Sequence, residues 1–497
     1  MKVWQTILKF AAWMGSSSYP SLPSDQPASI QLAAWLKVFN TGDRKALLEY
    51  HSGVPFPYSV ASRNLASIEN EVGLAKASGG FNVADVESVS DPSTVIVVLK
   101  EKTRPQYARA TMVVDATKDS YPATKFHINP IITPIKFIPE DDPRRPRYEK
   151  ALQALTADTR RALVDELAEV LRDQYIITDM IETIISAFED HLKSGDYDEI
   201  TESEKFATRL TQDLQASWHD QHMRILFTEP HGNPDDNAPK QPPPGEILDH
   251  LRDMGFGFRP VSLDSTTIPG RTIATLPITG FIPSGPDFPV YKEVRAAIGK
   301  ILSGVSDADA LLIDLRENHG GDPHTVSFVL SYLMDDGPVH ILDFVDRSGK
   351  VMQSFSTLPA SELPADTTRF GGTKPLFVLT AENTISGGEE MAYDLQAFKR
   401  SRAVVGEGSK ATAGAALPVT QPRLIGEEIF GKGWWVVGVS SVAPKHAVTG
   451  TNWEGVGVLS DVVAGEGEWE EVSDAEEVAK RLVKEILKAD EDERLEL

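Results

Sequence analysis

Residues 375–390 read PLFVLTAENTISGGEE and run on into MAYDLQAF. An unbroken apolar run ends at Thr380, a turn of small and polar residues follows, and Gly387-Gly388 open a segment with helical spacing. A continuous apolar run of this length is a strand buried on both faces, as in a sheet covered by helices. The turn presents Ser386 at the start of the next helix. A hydroxyl there sits at the positive end of the helix dipole, beside N–H groups that no helical carbonyl takes. That suits a nucleophile whose oxyanion forms next to it. It equally suits a plain N-cap, the commoner fate of such a serine.

A second segment, Ala310–Asp322 (ALLIDLRENHGGD), repeats the pattern: a buried strand running into a polar turn with two glycines. Gly320 and Gly321 lack a Cβ and can turn backbone N–H groups toward a pocket, which is what an oxyanion hole requires. Alone, an ordinary strand-to-helix turn explains it as well.

Around these segments the pattern is α/β. Strands are expected at Ile273–Phe281, Ala310–Leu315, His340–Val345, Pro375–Thr380, Arg402–Val405 and Trp434–Val439. Helices are expected at 289–302, 323–334 and 388–400, with a last helix from Ser473 in which Glu476 completes an S-x-x-E capping box. Residues 229–246 are polar and Pro-rich and read as an exposed loop. Upstream, Leu163, Leu167, Val170 and Leu171 form one apolar helix face, and Ile181, Ile184, Ile185, Phe188 and Leu192 another, ended by Gly195. Before the charged break at Asp141–Pro146, helical stripes precede strands at Ser93–Leu99, Ala108–Val114 and Lys125–Ile132, an α+β arrangement. The expected organisation is a leader and linker over 1–27, an α+β domain over 28–140, a helical cap over 145–217 and an α/β domain over 218–490.

The 497 residues carry a formal charge of −24. That disfavours nucleic acid, which needs a basic face. There is no cysteine, which excludes disulfides, thiolate metal sites and a cysteine nucleophile. No metal or cofactor signature is present: GxxxxGK[ST], HExxH and GxSxG are all missing. Residues 1–20 have a weak likeness to a secretory signal, and an amphipathic helix fits equally. No apolar run is long enough to predict an integral membrane span. Compartment and oligomeric state stay open.

DLRENHGG followed by TISGGEEMAYDLQAFKRSRAVVGE resembles the tail-specific (C-terminal-processing) serine peptidase superfamily. Within it, the likeness is to the branch holding the interphotoreceptor retinoid-binding protein modules and the tricorn core protease. It continues through GTNWEGVGVLSD (450–461) and reaches back to LAEVLRDQYIITDMIETIISAFEDHLKSGDYDEI and HDQHMRI. The resemblance implies a ClpP/crotonase-like catalytic domain. It places Ser386 as nucleophile, Gly387 with Gly320 or Gly321 at the oxyanion hole, His222 as general base and Glu454 as the supporting carboxylate. Separately, FNTGDRKALLEY (39–50) followed by Gly79-Gly80 resembles a cystatin-like, SnoaL-type domain with a curved sheet.

The chain departs from that pattern in places. Tail-specific members use a Lys base in a Gly-Lys-Gly context; Lys410 lies nearby but out of register. Related bacterial proteins carry Gly-Ala-His-Pro where this chain has Gly414-Ala415-Ala416-Leu417-Pro418. His319 replaces a small residue before the glycine pair and is an alternative base, as is Lys410. His324 and His219 read as ordinary surface residues. The expected function is a serine peptidase acting on peptides or unfolded protein through an acyl-enzyme. The alternative is a non-catalytic protein binding apolar ligands or peptides on the same fold. A third reading places acid/base chemistry on Asp43, His51 and His127.

Overall fold

The computed structural model describes residues 20–53, 65, 68–218, 220–230, 243–335, 337–407, 412 and 414–496. The segment 1–19, and with it the signal-like stretch, lies outside them. The chain divides into two compact units, Met1–Glu149 and Lys150–Leu497.

In the first unit, helices α1 (Pro27–Phe39), α2 (Arg44–Gly53) and α3 (Ile68–Ser78) precede four strands. These are β1 (Phe81–Asp91), β2 (Thr94–Glu101), β3 (Tyr107–Val114) and β4 (Ala123–Ile131), an antiparallel meander in sequential order. Leu32, Trp35 and Phe39 of α1 share a core with Val95, Val97, Ala110, Met112 and Phe126 of the sheet. Strand β1 escapes the sequence reading for a physical reason. Its register slips at three places, between Val83 and Asp85, between Val86 and Ser88, and between Ser88 and Asp91. Its apolar residues Val83, Val86 and Val89 therefore recur every three residues and imitate a helix instead of alternating.

The second unit begins with helices α4 (Ala157–Gln174), α5 (Ile181–Ser194) and α6 (Ser203–Ser217). Their buried faces are Leu163, Leu167 and Leu171, Ile181, Ile184 and Phe188, and Phe206, Leu210 and Leu214. Gly195 closes α5 at φ +82. After α6 the chain enters β5 (Arg224–Phe227). This strand pairs with β14 (Trp435–Ser440), which in turn pairs with β13 (Val419–Ile425). The helical segment is thereby stitched by strand hydrogen bonds to residues some two hundred positions later.

Helix α7 (Pro244–Asp253) leads to the main sheet. Its strands are β6 (Ser262–Asp264), β7 (Ile273–Pro277), β8 (Ala310–Asp314), β11 (Leu376–Thr380), β12 (Ala403–Glu407) and β16 (Val462–Ala464). The order is β16-β12-β11-β8-β7-β6, parallel except for the edge strand β6. A small antiparallel sheet, β10-β9-β15, is formed by β9 (His340–Val345), β10 (Val351–Ser356) and β15 (Ala443–His446). Alternate residues of the main strands point to opposite faces, and both faces are covered. Leu311, Ile313, Leu376 and Val378 pack with α8 (Tyr291–Ser303), α9 (Pro323–Leu333) and α10 (Gly387–Ala397). Leu312, Phe377, Leu379 and Val405 pack with Val478, Ala479 and Val483 of α11 (Ala475–Glu496).

The start of α11 differs from expectation. Asp474, not Ser473, caps it, taking the Glu476 N–H on Oδ1 at 2.9 Å. The Glu476 carboxylate turns to the sheet instead, meeting Thr275 at 3.1 Å and Lys480 at 3.0 Å. Among the described residues no helix is long and apolar enough to cross a membrane.

Candidate active site

Ser386 is the N-cap of α10 and has φ +58 and ψ −120. A non-glycine residue held there is strained, and the surroundings show what holds it. The Thr384 hydroxyl donates to Leu315 O at 2.8 Å, and the Ile385 N–H donates to Asn318 O at 3.1 Å. The Ser386 N–H donates to the Glu389 carboxylate at 2.9 Å. The turn carrying Ser386 is thus tied to the turn carrying Gly320 and Gly321, which descend from adjacent strands β11 and β8.

The two glycines have φ +85 and +138. Gly320 has its N–H taken by Asn318 Oδ1 at 2.8 Å. The Gly320 carbonyl and the Asp322 N–H bond Phe281, leaving the Gly321 N–H between them pointed elsewhere. Among the described residues neither the Gly321 nor the Gly387 N–H has a hydrogen-bond acceptor. A Cβ placed on Gly387 would lie 3.1 Å from Gly321 N, and one on Gly320 would lie 2.8 Å from Ser386 Cβ. Ser386, Gly387 and Gly321 therefore converge, while Gly320 supplies close approach and not a donor.

Glu389 is fully buried. Its Oε1 accepts the Gly414 N–H at 2.6 Å, and its Oε2 accepts the N–H groups of Ala415 and Ser386, each at 2.9 Å. Burial raises this carboxyl's pKa, and the hydrogen bonds from Thr412 and these amides oppose the rise. The next two amides, Ala416 and Leu417, donate to Glu454 Oε2 at 2.6 and 3.0 Å. Four consecutive N–H groups of the 414–417 strap are thus gripped by two carboxylates. Burial pushes Glu454 up to about 7, with the Asp220 and Glu389 charges adding to the rise against the strap amides. The strap is the stretch where the related Gly-Ala-His-Pro histidine is replaced, and its N–H groups from Gly414 to Leu417 are all paired without it.

His222 enters β5 on a turn organised by Asp220, whose Oδ1 accepts the N–H groups of His222 and Met223 at 2.9 and 3.1 Å. Burial lowers the His222 pKa and Arg224 lowers it further, while Asp220 opposes them. The Asp220 charge bears on both His222 and Glu454. Among the described residues no hydrogen bond joins His222 to Glu454 or to Ser386.

The remaining candidates separate. His319 is exposed, held by its backbone N–H to Thr279 O at 3.1 Å. Lys410 and His219 lie outside the described residues. His324 is no plain surface residue: its Nδ1 meets Asp322 at 2.9 Å and its ring packs edge-on against Phe355. In the first unit Asp43 caps α2 through the Ala46 N–H at 3.0 Å, and His51 pairs with the buried Glu71 at 2.9 Å. His127, on β4, has its pKa lowered by burial and Lys125.

Two family models match. One, the N-terminal domain of Peptidase_S41 in eukaryotic IRBP, covers residues 149–256 and 454–497. The other, peptidase family S41, covers residues 272–430. The chain belongs to peptidase family S41. The first match includes His222 and Glu454, and the second includes Ser386 and the glycine turn.

Several solved structures are similar to this S41 chain. Mature CPAF is 14% identical with a TM-score of 0.42, over 67% of this chain and 98% of that one. A putative peptidase from Parabacteroides merdae is 15% identical with a TM-score of 0.40, over 65% and 96%. The tricorn protease is 11% identical with a TM-score of 0.38, over 81% of this chain and 42% of that one.

In this S41 chain a polar cavity of about 370 Å³ lies beside the Ser386 turn, at the C-terminal ends of β7, β8, β11 and β12. Arg259, Thr279, Asp314, Arg316, Asn383 and Glu407 help to line it. Arg316, the arginine of the DLR triplet, is committed to structure there: it bonds Asp314 at 2.8 Å and Glu407 at 2.7 Å. Asn318 and Glu389 are the site residues that sequence reading passes over. Both sit inside the quoted motifs, but their partners are backbone amides, which leave no pattern in side-chain identity.

Proposed function

We propose that this family S41 chain is a serine peptidase that cleaves peptides or unfolded protein segments through an acyl-enzyme on Ser386. The observation that carries the reading is Ser386 at the head of α10, in a strained conformation, beside the N–H groups of Gly387 and Gly321. Ser386 Oγ attacks the scissile carbonyl carbon and passes its proton to the His222 imidazole. The carbonyl oxygen becomes an oxyanion facing the Gly321 and Gly387 N–H groups. The C–N bond then breaks, the imidazolium returns the proton to the leaving amine, and water releases the acid by the same steps. The lowered pKa of His222 keeps the imidazole neutral and able to accept a proton near pH 7. Glu454 stabilises the imidazolium. The Ser386–His222 hydrogen bond forms as substrate binds, a tightening common at catalytic sites.

The test is covalent labelling with a fluorophosphonate probe together with turnover of a peptide library. Wild type is expected to label and turn over peptide, while Ser386→Ala does neither and His222→Ala labels slowly. Equal labelling of wild type and Ser386→Ala, or no turnover by wild type, overturns the reading.

A further inference from the structure

The helical segment contributes more to this site than His222. Tyr175, where α4 ends, and Asp220, before β5, are both fully buried. Tyr175 Oη, Trp218 Nε1, Asp220 Oδ2, His222 Nδ1 and Glu454 Oε1 are buried polar atoms with no close hydrogen-bond partner. Tyr175 adjoins Asp220, Trp218 and Glu454, and Asp220 adjoins His222. Burial holds the Tyr175 phenol far above its usual range, and the next causes are the Asp220 and Glu454 charges. The Asp220 charge likewise bears on Glu454 and on His222. The Asp220 charge makes the buried Glu454 costlier to ionise. The cluster holds two neutral donors that oppose this, the Tyr175 O–H and the Trp218 N–H.

We propose that Asp220 and Tyr175 are positioning residues for the His222–Glu454 pair. Asp220 fixes the His222 backbone through Oδ1 and sets a negative charge against the imidazolium through Oδ2. Tyr175 supplies a neutral donor facing the Asp220 and Glu454 carboxylates. The charged and titratable groups facing this pair are His222 and Arg224 at β5, Glu389 of α10 and Tyr175.

This inference rests on His222 and Glu454 having the roles given above. Its test is the pH dependence of fluorophosphonate labelling of Ser386 in wild type, Asp220→Asn and Tyr175→Phe. Both substitutions preserve shape, and Asp220→Asn keeps an oxygen for the His222 and Met223 amides. Wild type is expected to show an acidic limb near the Glu454 value of about 7. Asp220→Asn removes a repelling charge, so its limb moves down by about one pH unit, while the plateau rate falls because the imidazolium loses support. Tyr175→Phe removes the donor, so its limb moves up by a similar amount. A residue that only supports the fold would lower the rate without moving the limb in opposite directions. Limbs that superimpose on wild type, or that shift the same way, overturn the proposal while the Ser386 reading stands. If either variant is too unstable to assay, the sign of the other decides. Labelling that is independent of His222 would instead overturn the proposed function.

Discussion

The backbone N–H of Ser386 donates to the carboxylate of Glu389, 2.9 Å away and three residues along the same helix start. The carboxylate faces backward onto the Ser386 amide and forward onto the amides of Gly414 and Ala415. One buried side chain thereby fixes the strained serine to the strap that carries the Glu454 contacts.

Removing that carboxylate should misplace Ser386 without touching substrate. For Glu389→Ala the expectation is a kcat lower by about 100-fold with KM nearly unchanged. Glu389→Gln should fall between the two. Its single carbonyl oxygen can serve Gly414 or the Ser386 and Ala415 pair, but its amide nitrogen must face the donors on the other side. Steady-state kinetics on a cleaved peptide, with circular dichroism to confirm folding, measure this. A kcat for Glu389→Ala equal to wild type would refute it.

The glycine turn makes a second expectation. A Cβ on Gly321 would lie 2.1 Å from Phe281 O, a backbone atom that cannot step aside. Gly321→Ala should therefore move the Gly321 N–H off the Ser386 side and slow fluorophosphonate labelling by at least about tenfold. Gly245→Ala, where a Cβ meets nothing within 4 Å, serves as the control and should label as wild type. Equal labelling rates for Gly321→Ala and the control would remove Gly321 from the oxyanion role.

Stability should depend on pH through a buried acidic pair on α10, Glu390 and Asp394. Burial, with the nearby Asp322 charge, pushes Glu390 up to about 8, and burial with the Glu390 charge raises Asp394. A carboxyl raised on folding binds its proton more tightly in the folded state. Its contribution is complete below the unfolded value and is lost as pH climbs through the folded value. His446, 3.4 Å from Asp394, has the opposite shift, down to about 4. Its contribution is complete above its unfolded value of 6.5 and disappears toward pH 4. Between 6.5 and 8 only the acids change. Unfolding free energy is expected to decline there, by up to about 1.4 kcal/mol per pH unit for each proton released. Urea midpoints of wild type and Glu390→Gln across this window measure it. The variant should give a flatter line, and identical slopes would refute the assignment.

Much of the second unit is legible along the chain because its cues are local. The strands Ala310–Asp314 and Leu376–Thr380 are continuous apolar runs, and Gly195 ends α5 as a left-handed residue should. Ser386, Gly320 and Gly321 stand out only because two buried strands each run into a small-residue turn and the two turns together carry the family resemblance. Strand β1 is hidden because its bulges change the spacing of its apolar residues. The start of α11 departs from the capping-box expectation at Glu476 because a cap and an ion pair compete for the same carboxylate. Only the folded structure brings Thr275 and Lys480 within its reach.

The layered α/β core and the strand-to-turn segments carrying Ser386 and Gly320-Gly321 are set along the chain, since periodicity and small-residue placement act within a few residues. Tertiary structure alone decided which glycine N–H is available, because Asn318 takes that of Gly320. It also decided that Glu389 and Glu454 divide the strap amides between them, and that Tyr175 and Asp220 share a buried cluster with Glu454. Those relationships join residues up to hundreds of positions apart, and they exist only where folding removes water and brings charges and amides within hydrogen-bond distance.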